Sequence, residues 1–173
     1  MGRNAQIAVS LSATDEGNNA FGGPYWSAAI NKTLALGDGT TANKFDRVYI
    51  AERTVASATN DDIDLAGVLA TALGTTITAA ELVAIMLINA PKAVDGAANT
   101  TNLTIGGGSN PVVGFSATGD IIGPIRPGGM FLLACGDAAG IGAVTAGTGD
   151  ILRIANSSGA SATYQIAILA RTA

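Results

Sequence analysis

Short apolar or alternating segments, each closed by Gly, Asn, Asp or Pro, run the length of the chain. Ile7, Val9 and Leu11 alternate with Gln6, Ala8, Ser10 and Ser12, a period of two that predicts a half-buried strand. Asp15-Glu16-Gly17-Asn18-Asn19 and Gly22-Gly23-Pro24 carry turn chemistry and predict a long polar connection. A second strand is expected over 26–36, before Gly37-Asp38-Gly39, and a third over 47–55. Residues 61–65 form a short strand candidate. Leu65, Leu69 and Leu73 then recur at i, i+4 and i+8, which allows one brief helical turn before Gly74. Residues 82–89 are apolar almost without interruption, as expected of a strand covered on both faces.

The second half repeats the pattern at closer spacing. Strands are expected over 103–105, 112–115, 121–125, 130–134, 143–145, 150–155 and 162–169. The turns between them include Asn110-Pro111, Thr118-Gly119-Asp120, Pro127-Gly128-Gly129, Gly147-Thr148-Gly149 and Asn156-Ser157-Ser158-Gly159. Many short strands with frequent turns and hardly any helix indicate an all-β fold. The expectation is an antiparallel β-sandwich, jelly-roll-like, with at most one short helical turn. No linker or compositional shift divides residues 1–173, so they form one domain. Residues 1–24 are either an N-terminal arm or the first strand of the sandwich with its loop. Ile85, Leu87, Phe131, Leu133, Leu152, Ile154, Ile166 and Ile168 are expected in the core, because they occupy the most apolar segments.

Composition sharpens this picture. Of 173 residues, 13% are charged and 48% hydrophobic, with mean hydropathy +0.38. Soluble domains average about a quarter charged, so this chain leaves much uncharged surface to be buried against neighbours. The net charge is −4. The basic residues are scattered, without the patch that nucleic-acid binding through counterion release requires. The first six residues hold no signal-peptide apolar stretch, and Gln6 stands where a myristoylation signal needs Ser or Thr. The run 82–88 is too short to span a bilayer. The expectation is synthesis in the cytoplasm, without membrane or nucleic-acid partners.

Candidate chemistry is sparse. The chain has no histidine and a single cysteine, Cys135. This removes His-dependent nucleophiles, His- or thiolate-bound zinc and any intrachain disulfide. Cys135 follows an apolar run and reads as a small core residue. Asp61, Asp62 and Asp64 suit a hard cation such as calcium by ligand type, but their alternation with Ile63 fits an exposed strand face equally well. Glu52 and Glu81 are the remaining acid/base candidates. Phe21, Tyr25 and Trp26 suggest either carbohydrate stacking or core and interface aromatics. Gly106-Gly107-Gly108 lacks the Lys-Ser/Thr of a phosphate loop, and Gly140-Ile141-Gly142 fails the dinucleotide fingerprint. Both read as turns needing positive φ or close backbone approach. The Asn-x-Ser/Thr triplets at Asn31, Asn99, Asn102 and Asn156 need secretion to matter. No catalytic, cofactor-binding or metal-binding residue is assigned, and no cofactor or small-molecule substrate is expected. The chain reads as non-enzymatic.

A resemblance enters through four segments. Asp62-Ile63-Asp64-Leu65-Ala66-Gly67, Leu103-Thr104-Ile105-Gly106-Gly107 and Arg126-Pro127-Gly128-Gly129 precede the run from Val144 to Ile154 that contains Thr145-Ala146-Gly147-Thr148-Gly149-Asp150. With the closing strand through Tyr164, Ile166 and Ile168, this pattern, over roughly residues 45 to 173, resembles structural proteins of tailed-bacteriophage virions, most of all capsid decoration (cement) proteins. The resemblance implies a jelly-roll-like homotrimer on the capsid surface, with the major capsid protein as partner. It transfers no catalytic residues. A tail, adaptor or fibre-associated protein is the alternative, and a host-glycan-binding module the second alternative.

Overall fold

The computed structural model describes residues 2–17, 22–23, 25–67, 69, 76–112, 114 and 119–172. Twelve strands run through them: β1 (Ala5–Glu16), β2 (Tyr25–Asp38), β3 (Lys44–Phe45), β4 (Arg47–Val55), β5 (Asn60–Asp64), β6 (Glu81–Ile88), β7 (Leu103–Gly106), β8 (Ile121–Ile125), β9 (Met130–Ala134), β10 (Gly142–Ala143), β11 (Ile151–Asn156) and β12 (Ala162–Arg171). No helix occurs among the described residues. Residues 65–67 make a turn, and most of the expected helical turn lies outside the described residues.

Two sheets form the body. One runs β4-β12-β6, with β9 and the short β10 both pairing β6 on its far side. The other runs β5-β11-β7-β8. Setting aside two-residue β10, the eight body strands in chain order lie first-eighth-third-sixth in one sheet and second-seventh-fourth-fifth in the other. That is jelly-roll topology, two Greek keys folded together. The pairings between named strands in both sheets are antiparallel.

The core lies between the sheets because alternate residues of each strand point inward. Tyr164, Ile166 and Ile168 of β12 and Ile85 and Leu87 of β6 meet Ile63, Leu103, Ile105, Leu152 and Ile154 of the facing sheet. Six of the eight residues expected in the core are buried. Phe131 and Leu133 pack against the cluster but remain half-buried. Among the described residues their strand, β9, pairs with β6 alone, which leaves them less cover than a central strand receives.

Residues 82–85 are all buried, and a register shift explains how. Leu169 pairs with Ala84, but Ala170 pairs with Leu82, leaving Val83 unmatched. Leu82 and Ile85 stay in the inner core, whereas Val83 and Ala84 join a second cluster with Leu36, Phe45 and Leu169 on the outer face. A bulge of this kind turns one extra side chain without breaking the sheet.

β1 and β2 stand apart from both body sheets. They form an antiparallel hairpin with twelve matched positions, from Ala5↔Leu36 to Glu16↔Tyr25, and β3 adds a short parallel contact at its base. Two expected strands come out differently among the described residues. Around 143–145, β10 ends at Ala143, and Thr145 closes a turn onto Gly149. Within 112–115 no strand is formed at Val112, whose N–H donates to the carbonyl of Ile151, and Val113 and Phe115 lie outside the described residues.

Candidate assembly surface

Residues matched across an antiparallel pair share a face. One face of the hairpin therefore carries Ile7, Val9, Leu11, Ala13 and, at its end, Asp15 from β1, with Leu34, Lys32, Ile30, Ala28 and Trp26 from β2. The opposite face carries Gln6, Ser10, Ser12, Thr14, Asn31, Thr33 and Ser27, with the Ser10 hydroxyl 2.6 Å from Asn31 Oδ1. The hairpin is thus amphipathic. Among the described residues only the base of its apolar face is covered, where Ile7, Leu34 and Leu36, with Phe45 of β3, join Val83, Ala84 and Leu169 of the body. Beyond that base Leu11 is 64% and Ile30 72% exposed. The half-buried strand expected at residues 6–12 is instead mostly exposed, because the alternation marks an apolar face that no other described residue covers beyond the base.

The outer face of the larger sheet continues this surface. Ile50, Ala167, Met86 and Leu132 lie in one row across β4, β12, β6 and β9. Glu52, Gln165, Ile88 and Met130 form the next row. The hairpin base covers Val48, Leu169, Ala84 and Ala134 but leaves Ile50 70% and Met130 73% exposed. Two grooves flank that base. The larger, about 630 Å³, runs past Val9, Lys32, Asn43, Leu132 and Cys135. The smaller, about 310 Å³, runs past Ala5, Ile50, Met86 and Ala167. Ile7 and Leu132 line both.

The loops beside the larger groove are fixed from within. Arg171 is fully buried. Its Nη1 donates to the carbonyl of Thr41 at 3.0 Å and its Nη2 to that of Asp137 at 2.8 Å. Its Nε lies 3.0 Å from Glu81 Oε2, in ion-pair range but off hydrogen-bond geometry. Gly140 (φ +61°) belongs to the same assembly, since a Cβ there would stand 2.1 Å from the carbonyl oxygen of Leu82. This is the close approach expected of that glycine. Gly106 (φ +101°) and Gly107 (φ +73°) likewise turn the chain in the left-handed region.

The acidic residues are drawn to separate partners. Asp61 takes a two-pronged contact from Arg53, Nε at 2.7 Å and Nη2 at 2.6 Å, and accepts a hydrogen bond from Tyr164 Oη at 2.7 Å. Burial works to raise the Asp61 pKa, but the Arg53 and Tyr164 hydrogen bonds together hold it below the usual value. Burial, then the bond to Asp61, pushes the Tyr164 phenol up. The Arg53 guanidinium is raised, chiefly by its hydrogen bond to Asp61. Asp62 instead binds Arg153 at 2.6 and 2.7 Å, and Asp64 Oδ1 accepts the N–H of Ala66. No group of three or more potential metal-ligating His, Cys, Asp or Glu side chains is found among the described residues. Glu52 accepts the Lys92 N–H and Glu81 faces Arg171. Opposite Gln165 and Arg171 of β12 respectively, they stand roughly 20 Å apart at strand spacing, too far for paired acid/base work.

Tyr25 and Trp26 are exposed near the hairpin end and, as neighbours on one strand, point to opposite faces. They form no shared stacking platform, and Phe21 lies outside the described residues. Cys135 is half-buried, packs against the main core and lines the larger groove. Ile50, Met86 and Met130 were not singled out from the sequence. One signal was there: 48–51 reads Val-Tyr-Ile-Ala, apolar on both faces of one strand, which marks cover on both sides. No family model matches the chain, and no curated protein or solved structure matches it either.

Proposed function

We propose that this chain is a non-enzymatic virion structural protein, a capsid decoration protein that binds the major capsid protein from outside and stabilises the head shell. The observation that carries this reading is the uncovered apolar face of the hairpin at Leu11 and Ile30, joined to the open sheet face at Ile50 and Met130. A stiff sandwich with a projecting two-stranded limb is suited to reaching neighbouring subunits. Jelly rolls recur in viral capsid domains, but also in lectins and cupins, so topology supports the reading without deciding it. The segments that carry the phage resemblance fall on β5, β7, β11 and β12 of the body and on turns beside its strands, with Gly128 and Gly147 both at positive φ.

Cryo-EM of intact particles tests the proposal. A decoration protein is expected in hundreds of copies on the shell. A few to dozens of copies at a tail or portal would replace it with the tail or adaptor reading, and absence from particles would end both. Trp26, 60% exposed, favours glycan binding as a second reading. An empty glycan array, together with adsorption unaffected by Trp26→Ala, removes it.

A further inference from the structure

β1 ends its sheet, so one side of its backbone has no neighbouring strand among the described residues. The Gly37 N–H donates to the Asn43 carbonyl at 3.0 Å, on the side of β2 away from β1. Backbone groups alternate sides along a strand, so Leu36 and its partner Ala5 face each other. The N–H and C=O groups of Gln6, Ala8, Ser10, Ser12 and Thr14 therefore point to the open side. Such an edge is a template for another strand unless charge, proline or shortness blunts it. Elsewhere the edges are blunted: β4 carries Arg47, Glu52 and Arg53, β5 carries Asp61, Asp62 and Asp64, and β8 holds Pro124. Residues 5–14 of β1 contain no charge, proline or glycine.

We propose that β1 of one copy pairs antiparallel with β1 of a second copy about a two-fold axis at Val9, joining the two hairpins into one four-stranded sheet. Self-pairing sets any charge near the axis close to its own like, and this segment has none. The axis at Val9 sets Ile7 against Leu11 and Ala5 against Ala13 on the apolar face. On the other face it sets Ala8 against Ser10 and Gln6 against Ser12. Farther out it brings Arg3 to Asp15 at both ends of the pairing. An axis at Ala8 or Ser10 would match the faces but separate that charge pair. Arg3 spends Nη1 on Asp38 in an exposed contact, which leaves its other nitrogens for Asp15. Among the described residues Asp15 makes no ion pair.

The pairing also fills open apolar space. The smaller groove has Ala5, Gln6, Ile7 and Ala8 on one side and Ile50 and Met86 on the other, and no charged side chain lines it. Four consecutive residues show that it opens along the edge of β1, beside the row that the hairpin base covers. A strand laid on that edge brings Leu11 and Ala13 of the second copy next to Ile7 and Ala5, at this groove. Isolated two-stranded hairpins are marginal at best, whereas three or more strands with an apolar face stand alone. Each hairpin thus supplies what the other lacks. The closed product is a dimer, in place of the trimer that the phage resemblance implies.

Light scattering of the purified full chain, without any particle present, is expected to show a dimer at micromolar concentration. Ser10→Pro removes an outward N–H and leaves the bonds from β1 to β2, so it should weaken the dimer by roughly tenfold or more with the melting transition of the body unchanged. Cross-linking reads the register. In a Cys135→Ser background, Val9→Cys should form a disulfide-linked dimer with oxidised glutathione. Facing residues of a non-hydrogen-bonded pair hold their Cα atoms about 4.5 Å apart, within disulfide reach. Leu11→Cys should not cross-link, because Leu11 faces Ile7 and the two copies of Leu11 stand roughly 13 Å apart along the strands. A monomeric or trimeric wild type, a Ser10→Pro chain as dimeric as wild type, or cross-linking at Leu11 as ready as at Val9 would overturn the proposal. None of these results touches shell binding, which cryo-EM judges separately.

Discussion

Tyr164 on β12 donates its hydroxyl to Asp61 on β5 at 2.7 Å and so ties one sheet of the sandwich to the other. Arg53 on β4 completes the bridge, gripping Asp61 with two nitrogens and the Tyr49 hydroxyl with a third. Tyr164→Phe removes one charge-assisted bond and is expected to cost about 1.5–3 kcal/mol. Asp61→Ala strips acceptors from both Arg53 and Tyr164 and should cost more. Because the groups act as a unit, the double variant should cost less than the two singles added together. Urea denaturation of the cycle measures this, and additive losses would show that the bridge does not act as one unit.

The same carboxylate sets an acid dependence. The Asp61 pKa is lower folded than unfolded, so its contribution is present above the ordinary carboxylate range near pH 4 and is lost as pH falls below it. Asp61→Asn should be less stable than wild type at neutral pH, and the gap should narrow as pH falls below about 4. Denaturation midpoints across that range are the measurement. A gap that stays constant contradicts the assignment.

Burial separates two positions that look alike in sequence. Ile166 is 1% exposed at the centre of the larger sheet, and Ile166→Ala should cost about 2–5 kcal/mol. Phe131, half-buried on β9, should lose clearly less than the 3–5 kcal/mol typical of a fully buried phenylalanine cut to alanine. Chemical denaturation of both variants checks the order. A larger loss at Phe131 would mean that β9 is covered in solution.

Melting temperature should be the same in EDTA and in millimolar calcium, since Asp61, Asp62 and Asp64 are held by Arg53, Arg153 and a backbone N–H respectively. A calcium-dependent rise, lost in Asp62→Asn, would signal binding to the native state and reopen that cluster as a site.

The body was largely legible in the sequence. β4, β8 and β9 fall on 47–55, 121–125 and 130–134, because turn residues bracket runs whose periodicity leaves one solution. Covering is harder to read than pairing. The alternation of Ile7, Val9 and Leu11 shows that a strand has an apolar face, but not whether this chain or another buries it. The step at Val83 was equally hidden, since an uninterrupted apolar run looks the same with or without a bulge. The assembly surface was legible only as a shortage of charge. Ile50, Met86 and Met130 come from three different strands, and only the sheet brings them together.

The position of β12 has a consequence for how the molecule is made. It lies between β4 and β6, yet it is the last of the described strands to leave the ribosome, roughly 120 residues after the β4 positions it pairs with, a non-local topology of the slow-folding kind. Until it arrives, β4 and β6 each present an unfilled edge, and that of β6 is rich in Val, Ile and Leu, the condition that invites wrong partners. The sheet is completed by its keystone, so the hazard for this fold lies in an interval of its synthesis: a chain stalled or clipped before Ala162 would lack the centre of the sheet and leave both edges open.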